Sequence, residues 1–246
     1  MSCSRFLTVA AAVLAGLAFQ GCSREKTSET KEPPSKKSAP EETPEKFRVE
    51  FETTKGSFVV EAVRSWAPHG VDRFYELVTR GFFEDSALYR VLPKFVVQFG
   101  INKDPEVSKL WAQLKLRDDP VKESNKRGYL SYAKTVPNSR TTQIFINMAD
   151  NSRRLDSTGF APFARVVEGM EVVEKFFDLY GESATLGGSG PDARKIEAMG
   201  NEYLKRNFPR LDYIKSAKLV PIDGAGDAED KSTIPEETRP ARRPGS

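Results

Sequence analysis

The chain has 246 residues, 38% of them hydrophobic and 30% charged, which is enough for one domain with tails and short for two. Its 38 Lys and Arg residues nearly balance 35 Asp and Glu residues, which excludes the one-sided charge of a nucleic-acid binder. Both cysteines precede the predicted domain, and His69 is the single histidine, so the sequence excludes disulfides, thiolate chemistry and multi-histidine metal sites in that domain.

Residues 1–21 have the pattern of a signal peptide, with Arg5 before an uncharged apolar run that is too short to span a bilayer. The following Gly21-Cys22 resembles a bacterial lipobox, in which the cysteine is acylated. The alternative is an ordinary cleaved signal in which Cys22 is incidental. We expect an exported protein on the periplasmic side of the cell envelope, held at a membrane only by lipid on Cys22.

Two segments are dense in charged residues, Ser, Thr and Pro, and contain almost no large apolar side chain. Residues 22–46 are predicted to be a disordered tether and residues 222–246 a disordered tail, because neither segment can bury a core. The predicted folded domain spans residues 47–221.

The domain is predicted to open with a β-hairpin. Apolar and polar residues alternate over 47–53, residues 54–56 supply a turn, and residues 57–63 form the second strand.

Two helices are predicted from apolar residues that recur at i, i+3, i+4 and i+7. The first begins near Pro68 and ends at Gly81, and the second ends at Gly181. The two apolar stripes are Val71, Phe74, Tyr75 and Val78, and then Val173, Phe176, Phe177 and Tyr180.

Short β-rich runs lie between these helices, at 88–98, 128–133, 143–148 and 160–167, and residues 101–125 are predicted to be a long charged loop. After Gly181, residues Ile196, Met199, Tyr203 and Leu204 predict a third, shorter helix, capped by Asp192 or Ser189. A final strand is predicted over 211–220. Two helices among many short strands indicate an α+β or capped-barrel fold, not alternating βαβ units.

Four segments match the pattern of a known family in their order along the chain. They are LYRVLPKFVVQ at 88–98, RGYLSYAKT at 127–135, PNSRTTQIFIN at 137–147, and LD at 155–156 with FARVVEGM at 163–170. Each segment alone is a weak signal, but together they resemble the cyclophilin-type peptidyl-prolyl cis/trans isomerases. The Ala-Lys-Thr form of the second segment is closest to the bacterial periplasmic branch.

The resemblance implies a mainly β fold, an eight-stranded antiparallel barrel capped by two helices, with a C-terminal helical elaboration after Gly181. It implies an enzyme that accelerates rotation about X–Pro bonds and, given the signal peptide, a folding helper for exported proteins. The implied partners are proline-containing peptides and unfolded or exported proteins, with no nucleic acid. The expected state is a monomer. No cofactor or metal is expected, because the reaction makes no new bond.

Arg90 is the catalytic residue that the resemblance implies. Rotation about X–Pro breaks amide resonance, and the uncatalysed barrier is about 18–20 kcal/mol. In the twisted state the proline nitrogen gains a lone pair, which a fixed cationic donor stabilises. A single arginine on a strand is more often part of a surface ion pair, so only the motif around Arg90 supports the catalytic role.

The resemblance also implies a groove for the substrate. An apolar cup for the proline ring is expected from Phe95, Val96, Phe145, Leu155 and Phe160. The expected polar contacts come from Tyr89, Gln98, Lys134, Thr135 and Gln143, of which the two glutamines would bind the peptide backbone and orient Arg90. Taken singly, each apolar residue is more often core than site, the glutamines are ordinary strand-end or surface amides, and Lys134 is equally a solvated loop residue.

Several residues depart from the family pattern. Tyr89 replaces a His, Lys94 replaces a Gly, and Phe99 stands where a Gly follows the glutamine, where it could crowd the groove. Arg154 takes the position of a Trp found in many eukaryotic members. These changes leave an alternative open, a cyclophilin-fold peptide-binding module of the cell envelope with weak catalysis.

Overall fold

The computed structural model describes residues 42–222. The predicted signal peptide, the acylation at Cys22, most of the tether and nearly all of the tail lie outside the described residues. Within residues 42–222, no helix combines the length and apolar character needed to cross a membrane.

The described part of the chain is built mainly from short strands. The strands are β1 Lys46–Thr53, β2 Gly56–Val63, β3 Arg90–Val91, β4 Val96–Phe99, β5 Tyr129–Tyr132, β6 Ile144–Asn147, β7 Pro162–Glu168 and β8 Ile214–Val220. The helices are α1 Pro68–Thr79, α2 Pro105–Ala112, α3 Ser152–Leu155, α4 Met170–Val173 and α5 Ala193–Asn207, with a 3₁₀ turn at Ala184–Leu186.

The eight strands form one antiparallel sheet in the order β3-β4-β6-β5-β7-β2-β1-β8. An isolated antiparallel bridge between Ala87 and Tyr213 joins its two edges. Beside that bridge, the Leu88 N–H donates to the Asp212 carbonyl oxygen at 2.9 Å. The predicted eight-stranded, mainly β fold is therefore confirmed.

The first hairpin and the first helix are also confirmed. β1 and β2 pair from Lys46–Val63 down to Thr53–Gly56, so the strand begins one residue before the predicted domain boundary. The helix α1 buries its predicted apolar stripe against the sheet, where the Phe74 ring lies 6.2 Å from the Phe51 ring and 5.1 Å from the Phe163 ring.

Phe99 belongs to this main core. Its ring is fully buried and lies 5.8 Å from the Phe51 ring and 5.9 Å from the Phe83 ring, centre to centre. Neighbouring residues of a strand point to opposite faces, so Phe99 faces inward where Gln98 faces the candidate site. The expectation that Phe99 could crowd the groove is wrong.

The prediction of a second helix ending at Gly181 is largely wrong, because α4 ends at Val173 after one turn. Phe177 does not continue it; its N–H donates to the Asp212 carboxylate at 2.7 Å. The apolar spacing reflects packing instead, since the Phe177 and Tyr180 rings meet edge to face at 4.9 Å. Long-range contacts here replace the local helical hydrogen bonds.

A helix that the sequence prediction missed lies in the presumed loop over 101–125. The side chain of Asp104 accepts from the Glu106 N–H at the start of α2, and Pro105 occupies the first turn. The helix packs through Trp111, whose ring is 5.8 Å from that of Phe82.

The third predicted helix is confirmed as α5, and the Asp192 carboxylate caps it at the Arg194 N–H. The expectation that it would be the shorter helix is wrong, because α5 has 15 residues and α1 has 12. The helix is interrupted at Gly200, whose φ of 59° lies outside the helical region. Met199, predicted in the apolar stripe, is 49% exposed, whereas Ile196 and Leu204 pack with Tyr89 in a second core cluster. α5 therefore packs beside Tyr89, the residue that precedes β3.

Candidate active site

Arg90 lies on a tight hairpin, so the β-rich run predicted at 88–98 is not one continuous strand. β3 and β4 pair Arg90 with Gln98, and the turn between them is closed by the Leu92 N–H donating to the Val96 carbonyl oxygen at 2.9 Å. Lys94 adopts a left-handed conformation in this turn, with φ of 62°. Such a conformation favours glycine, which explains the Gly of the family pattern at this position, and Lys94 adopts it although it carries a side chain.

The Arg90 guanidinium is held by two side chains. Its Nη1 donates to Gln98 Oε1 at 3.0 Å, and its Nε and Nη2 donate to the two carboxylate oxygens of Glu182 at 2.6 and 2.8 Å. The Arg90 side chain is only 11% exposed, and its Cζ lies 5.5 Å from the centre of the Phe95 ring. The cation therefore borders the apolar part of the site.

A chain of hydrogen bonds continues from Arg90 through Gln98. Gln98 Nε2 donates to Tyr89 Oη at 2.7 Å and to Gln143 Oε1 at 3.1 Å, and Tyr89 Oη donates to the same Gln143 oxygen at 2.5 Å. Gln143 Nε2 then donates to Glu197 Oε1 at 2.9 Å. This hydrogen-bonded chain forms the polar side of the site, and a carboxylate lies at each end, Glu182 beside Arg90 and Glu197 beside Gln143.

Tyr89 lies beneath the site, since only 2% of the residue is exposed. Its ring packs in the cluster that contains α5, and only its hydroxyl reaches the glutamines. Burial raises the pKa of Tyr89 far above its usual value, so the hydroxyl stays protonated and can donate. The structure therefore gives Tyr89 a supporting place below the groove, without exposed surface for a peptide.

The two carboxylates have opposite pKa shifts. The hydrogen bonds from Arg90 lower the pKa of Glu182, so that side chain is ionised at neutral pH. Burial raises the pKa of Glu197, although the hydrogen bond from Gln143 partly offsets the shift.

The five residues expected to form the cup lie together. Val96, Phe145 and Leu155 are buried in one small cluster, and Phe95, Ala133 and Phe160 pack on it while partly exposed. The Phe145 and Phe160 rings meet edge to face at 5.7 Å. This cluster is separate from the main core, which leaves an apolar surface beside Arg90.

Asparagine side chains that the sequence prediction missed hold the backbone of the cup. Asn151 Nδ2 donates to the Phe95 carbonyl oxygen at 2.9 Å, and Asn125 Nδ2 donates to the Phe160 carbonyl oxygen at 2.8 Å. Asn151 also donates to the Asn147 side chain at 2.8 Å. Buried amides can bridge three or more backbone groups, so these residues fix the positions of two cup rings.

Lys134 and Thr135, the two remaining predicted groove residues, differ in their surroundings. Lys134 Nζ lies 5.5 Å from the Phe160 ring centre and pairs with Asp118 at 2.9 Å, so it borders the cup. Burial alone would raise the pKa of Asp118, but the hydrogen bond from Lys134 helps to lower it. Thr135 is exposed, and its backbone N–H donates to Ser139 Oγ at 3.2 Å within a turn.

Three further charged residues reach the site. Arg154 places its Cζ 4.6 Å from the Phe95 ring centre, and Glu182 and Glu197 bind the ends of the polar chain. Arg154 could have been found from the position it takes in the family motif. The two glutamates belong to no motif, and nothing in the local sequence marks them.

Over residues 42–222, no cluster of three or more His, Cys, Asp and Glu side chains has a metal-binding arrangement.

Comparison with known proteins agrees with this geometry. Residues 48–194 match the family model described as cyclophilin type peptidyl-prolyl cis-trans isomerase. The chain is 33% identical over 140 residues to peptidyl-prolyl cis-trans isomerase B of Escherichia coli, covering 52% of this chain and 82% of that protein. It is 34% identical over 132 residues to a peptidyl-prolyl cis-trans isomerase of Acinetobacter baylyi, covering 52% and 70%.

A solved structure also matches the fold. A cyclophilin-type peptidyl-prolyl cis-trans isomerase of Cryptosporidium parvum superposes with a TM-score of 0.53 at 18% identity, covering 72% of this chain and 99% of that one. The same protein has been solved in the presence of the dipeptide Ala-Pro.

These matches, together with an arginine bordering an apolar cup on an eight-stranded antiparallel sheet, define the class as prolyl isomerases. The chain belongs to the cyclophilin-type peptidyl-prolyl cis-trans isomerase family, and its activity is rotation about X–Pro bonds.

Proposed function

We propose that this enzyme isomerises X–Pro bonds through Arg90, with the proline ring seated in the cup formed by Phe95, Val96, Phe145, Leu155 and Phe160. The observation that carries the proposal is the guanidinium of Arg90, mostly buried and 5.5 Å from the Phe95 ring centre. No other cationic group of the described residues combines an ion pair to a carboxylate with a hydrogen bond to Gln98.

The proposed mechanism requires that the proline ring is held in place while the carbonyl group before it is free to rotate. Apolar contact with the cup fixes the proline while the preceding carbonyl rotates, and the lone pair that develops on nitrogen accepts from Arg90. An arginine has five N–H donors, and Glu182 and Gln98 use three of them, which leaves two for the substrate. Each 1.4 kcal/mol gained only in the twisted state accelerates rotation about tenfold.

The proposed substrates are proline-containing peptide segments of unfolded, exported proteins, and the proposed role is that of a folding helper in the cell envelope. The cup is lined by apolar side chains, which suit a proline ring, and the related Cryptosporidium parvum enzyme was solved with Ala-Pro present. Export and lipid attachment are supported by the apolar run before Gly21-Cys22. We propose that the protein acts as a monomer.

Exchange NMR on an Ala-Pro peptide tests the catalytic proposal. The wild-type chain should accelerate cis/trans exchange, and Arg90→Ala should slow it by about 100-fold, because one transition-state donor of this kind contributes on that scale. Arg127→Ala is the matched control, since Arg127 forms an exposed pair with Glu174 away from the site. Equal rates for wild type and Arg90→Ala would refute the role of Arg90, and peptide binding without acceleration would favour the binding-module alternative.

Fatty-acid labelling of cells tests the anchor. The wild-type chain should take up label and Cys22→Ser should not, since Cys22 is the proposed acylation site. Unchanged labelling of the Cys22→Ser variant, or recovery of unlabelled wild type in the soluble fraction, would rule the anchor out.

A further inference from the structure

The carboxylate that binds Arg90 comes from outside the sheet. Glu182 lies in the long connection between α4 and β8. We call residues 181–207 of this connection the post-barrel segment. Ninety-two positions separate it from Arg90 along the chain, yet its two oxygens engage the Nε and Nη2 side of the guanidinium. Paired parallel N–H···O bonds of this kind fix both the position and the plane of an arginine.

The Glu182 side chain is itself held before any substrate binds. The Ser183 N–H donates to Glu182 Oε1 at 2.7 Å, and Ser183 Oγ donates to the Pro191 carbonyl oxygen at 2.8 Å. The Gly190 N–H donates back to the Glu182 carbonyl oxygen at 2.8 Å, which closes the loop. The carboxylate therefore presents a fixed edge to the arginine.

Two glycines make this closure possible. A Cβ atom on Gly188 would overlap the Glu182 carbonyl oxygen, and one on Gly190 would lie 2.8 Å from the same oxygen. Only residues without a side chain allow the loop to fold so tightly around Glu182. The loop geometry is thus adapted to place this one carboxylate.

The orientation of Arg90 depends on Glu182 more than on Gln98. Gln98 supplies a single hydrogen bond at 3.0 Å, about which the guanidinium plane can rotate. The cup side offers only the apolar Phe95 ring, which does not fix the direction of individual N–H bonds. Glu182 fixes that direction, although its negative charge also reduces the field of the cation at the substrate.

We propose that Glu182 is a positioning residue of the isomerase: it orients the Arg90 guanidinium so that its two remaining donors point at the rotating X–Pro bond. This inference rests on the proposed catalytic role of Arg90. Correct orientation outweighs the loss of field, because a donor is effective only when it is aimed at the developing lone pair.

The test compares Glu182→Ala and Glu182→Gln in the full chain by exchange NMR at several peptide concentrations. We expect kcat to fall about tenfold in Glu182→Ala with KM nearly unchanged, because orientation acts on the transition state. Glu182→Gln keeps one acceptor and should fall between the Ala variant and wild type. The control Glu174→Gln removes a carboxylate from the exposed Arg127 pair and should keep wild-type kcat.

A second measurement does not depend on turnover. The ¹H–¹⁵N correlation of Arg90 Nε should be sharp and shifted downfield in wild type, and broadened in both Glu182 variants, while Glu174→Gln leaves it unchanged. If the Ala variant does not fold, the Gln variant and this signal decide the matter.

An unchanged kcat in the folded variants overturns the proposal, as does a raised kcat, which would make Glu182 an inhibitory carboxylate. Failure of the catalytic proposal is distinguishable, because in that case wild type and Arg90→Ala would already have equal rates whatever residue 182 is.

Discussion

The two sides of the active site differ in origin and in physical character. The apolar side is built from β4, β6, α3 and residues next to them, and its rings pack in one small hydrophobic cluster. The polar side is a hydrogen-bonded chain whose two ends, Glu182 and Glu197, come from the post-barrel segment. One side belongs to the sheet, and the other is completed by a connection laid over it.

The difference between the apolar and polar sides predicts that they contribute to different steps, substrate binding and the rate of isomerisation. Burial of apolar surface is non-directional and acts on the proline ring alike in its planar and twisted states, so it stabilises binding. In the proposed mechanism, the hydrogen bonds from Arg90 are directional and act on the twisted state. We therefore expect changes in the cup to appear mainly in KM, and changes along the polar chain to appear mainly in kcat.

Phe145→Ala should have the largest effect on the apolar side. Losing the contact of a buried ring with the proline should raise KM by about 10- to 100-fold, with a smaller change in kcat. Exchange NMR over a range of peptide concentrations measures both constants. Ile146→Val is the control: its side chain lies in the main core on the opposite face of β6, so it should lower the Tm slightly and leave KM unchanged.

Gly188→Ala should affect the polar side without altering any group of the hydrogen-bonded chain. The added Cβ cannot fit beside the Glu182 carbonyl oxygen, so the loop must shift and Arg90 should lose its fixed partner. We expect kcat to fall about fivefold at nearly constant KM. Leu186→Ala in the same loop removes an exposed side chain and should behave as wild type; equal kcat in both variants would contradict a geometric role for the loop.

Tyr89→Phe removes the hydroxyl that joins Gln98 to Gln143. The buried amides lose a partner, which should lower the free energy of unfolding by about 1–2 kcal/mol and kcat by a few-fold. Chemical denaturation and the exchange assay measure the two effects. Tyr213→Phe is a matched control, because the buried Tyr213 hydroxyl has no hydrogen-bond partner among the described residues, so its removal should leave stability unchanged or raise it.

Glu197→Gln should have the smallest effect, and its size depends on pH. Burial raises the pKa of Glu197, so the stability contributed by its neutral form is complete below the unfolded-state pKa and is lost as pH rises through the folded-state value. A glutamine stays neutral and can still accept from Gln143. At pH 7 we expect the free energy of unfolding of Glu197→Gln to exceed that of wild type by about 0.5 kcal/mol.

The difference from wild type should shrink as the pH falls toward 4, where Glu197 itself is protonated. Urea denaturation at pH 4 and pH 7 provides the comparison, and a difference that grows on acidification would contradict the assigned shift.

The sequence predicted the sheet and the cup because both depend on short-range or family patterns. Alternation over 47–53 and the stripe from Val71 to Val78 set β1 and α1, and the motif segments located Arg90, Phe95 and Phe145. The second helix was mispredicted because Phe176 and Phe177 have helical spacing for a different reason, namely packing and a hydrogen bond to Asp212.

Glu182 and Glu197 could not be predicted, because a glutamate in a Gly- and Ser-rich stretch, or on the polar face of a helix, is ordinarily a solvated residue. Their places in the site depend on contacts with residues 92 and 54 positions away. The signal for such contacts lies in the tertiary structure alone. The family model also ends at residue 194, before Glu197 is reached.

The position of Glu182 in the chain has a consequence for the order of synthesis. A polypeptide that leaves the ribosome or a translocation channel N-terminus first exposes Arg90, Phe95 and Phe145 long before the post-barrel segment and β8 follow. During that interval the nascent chain carries the residues of the cup and the cation but lacks the carboxylate proposed to align Arg90. If Glu182 has that role, the chain carries its binding residues before it can become a fully aligned catalyst.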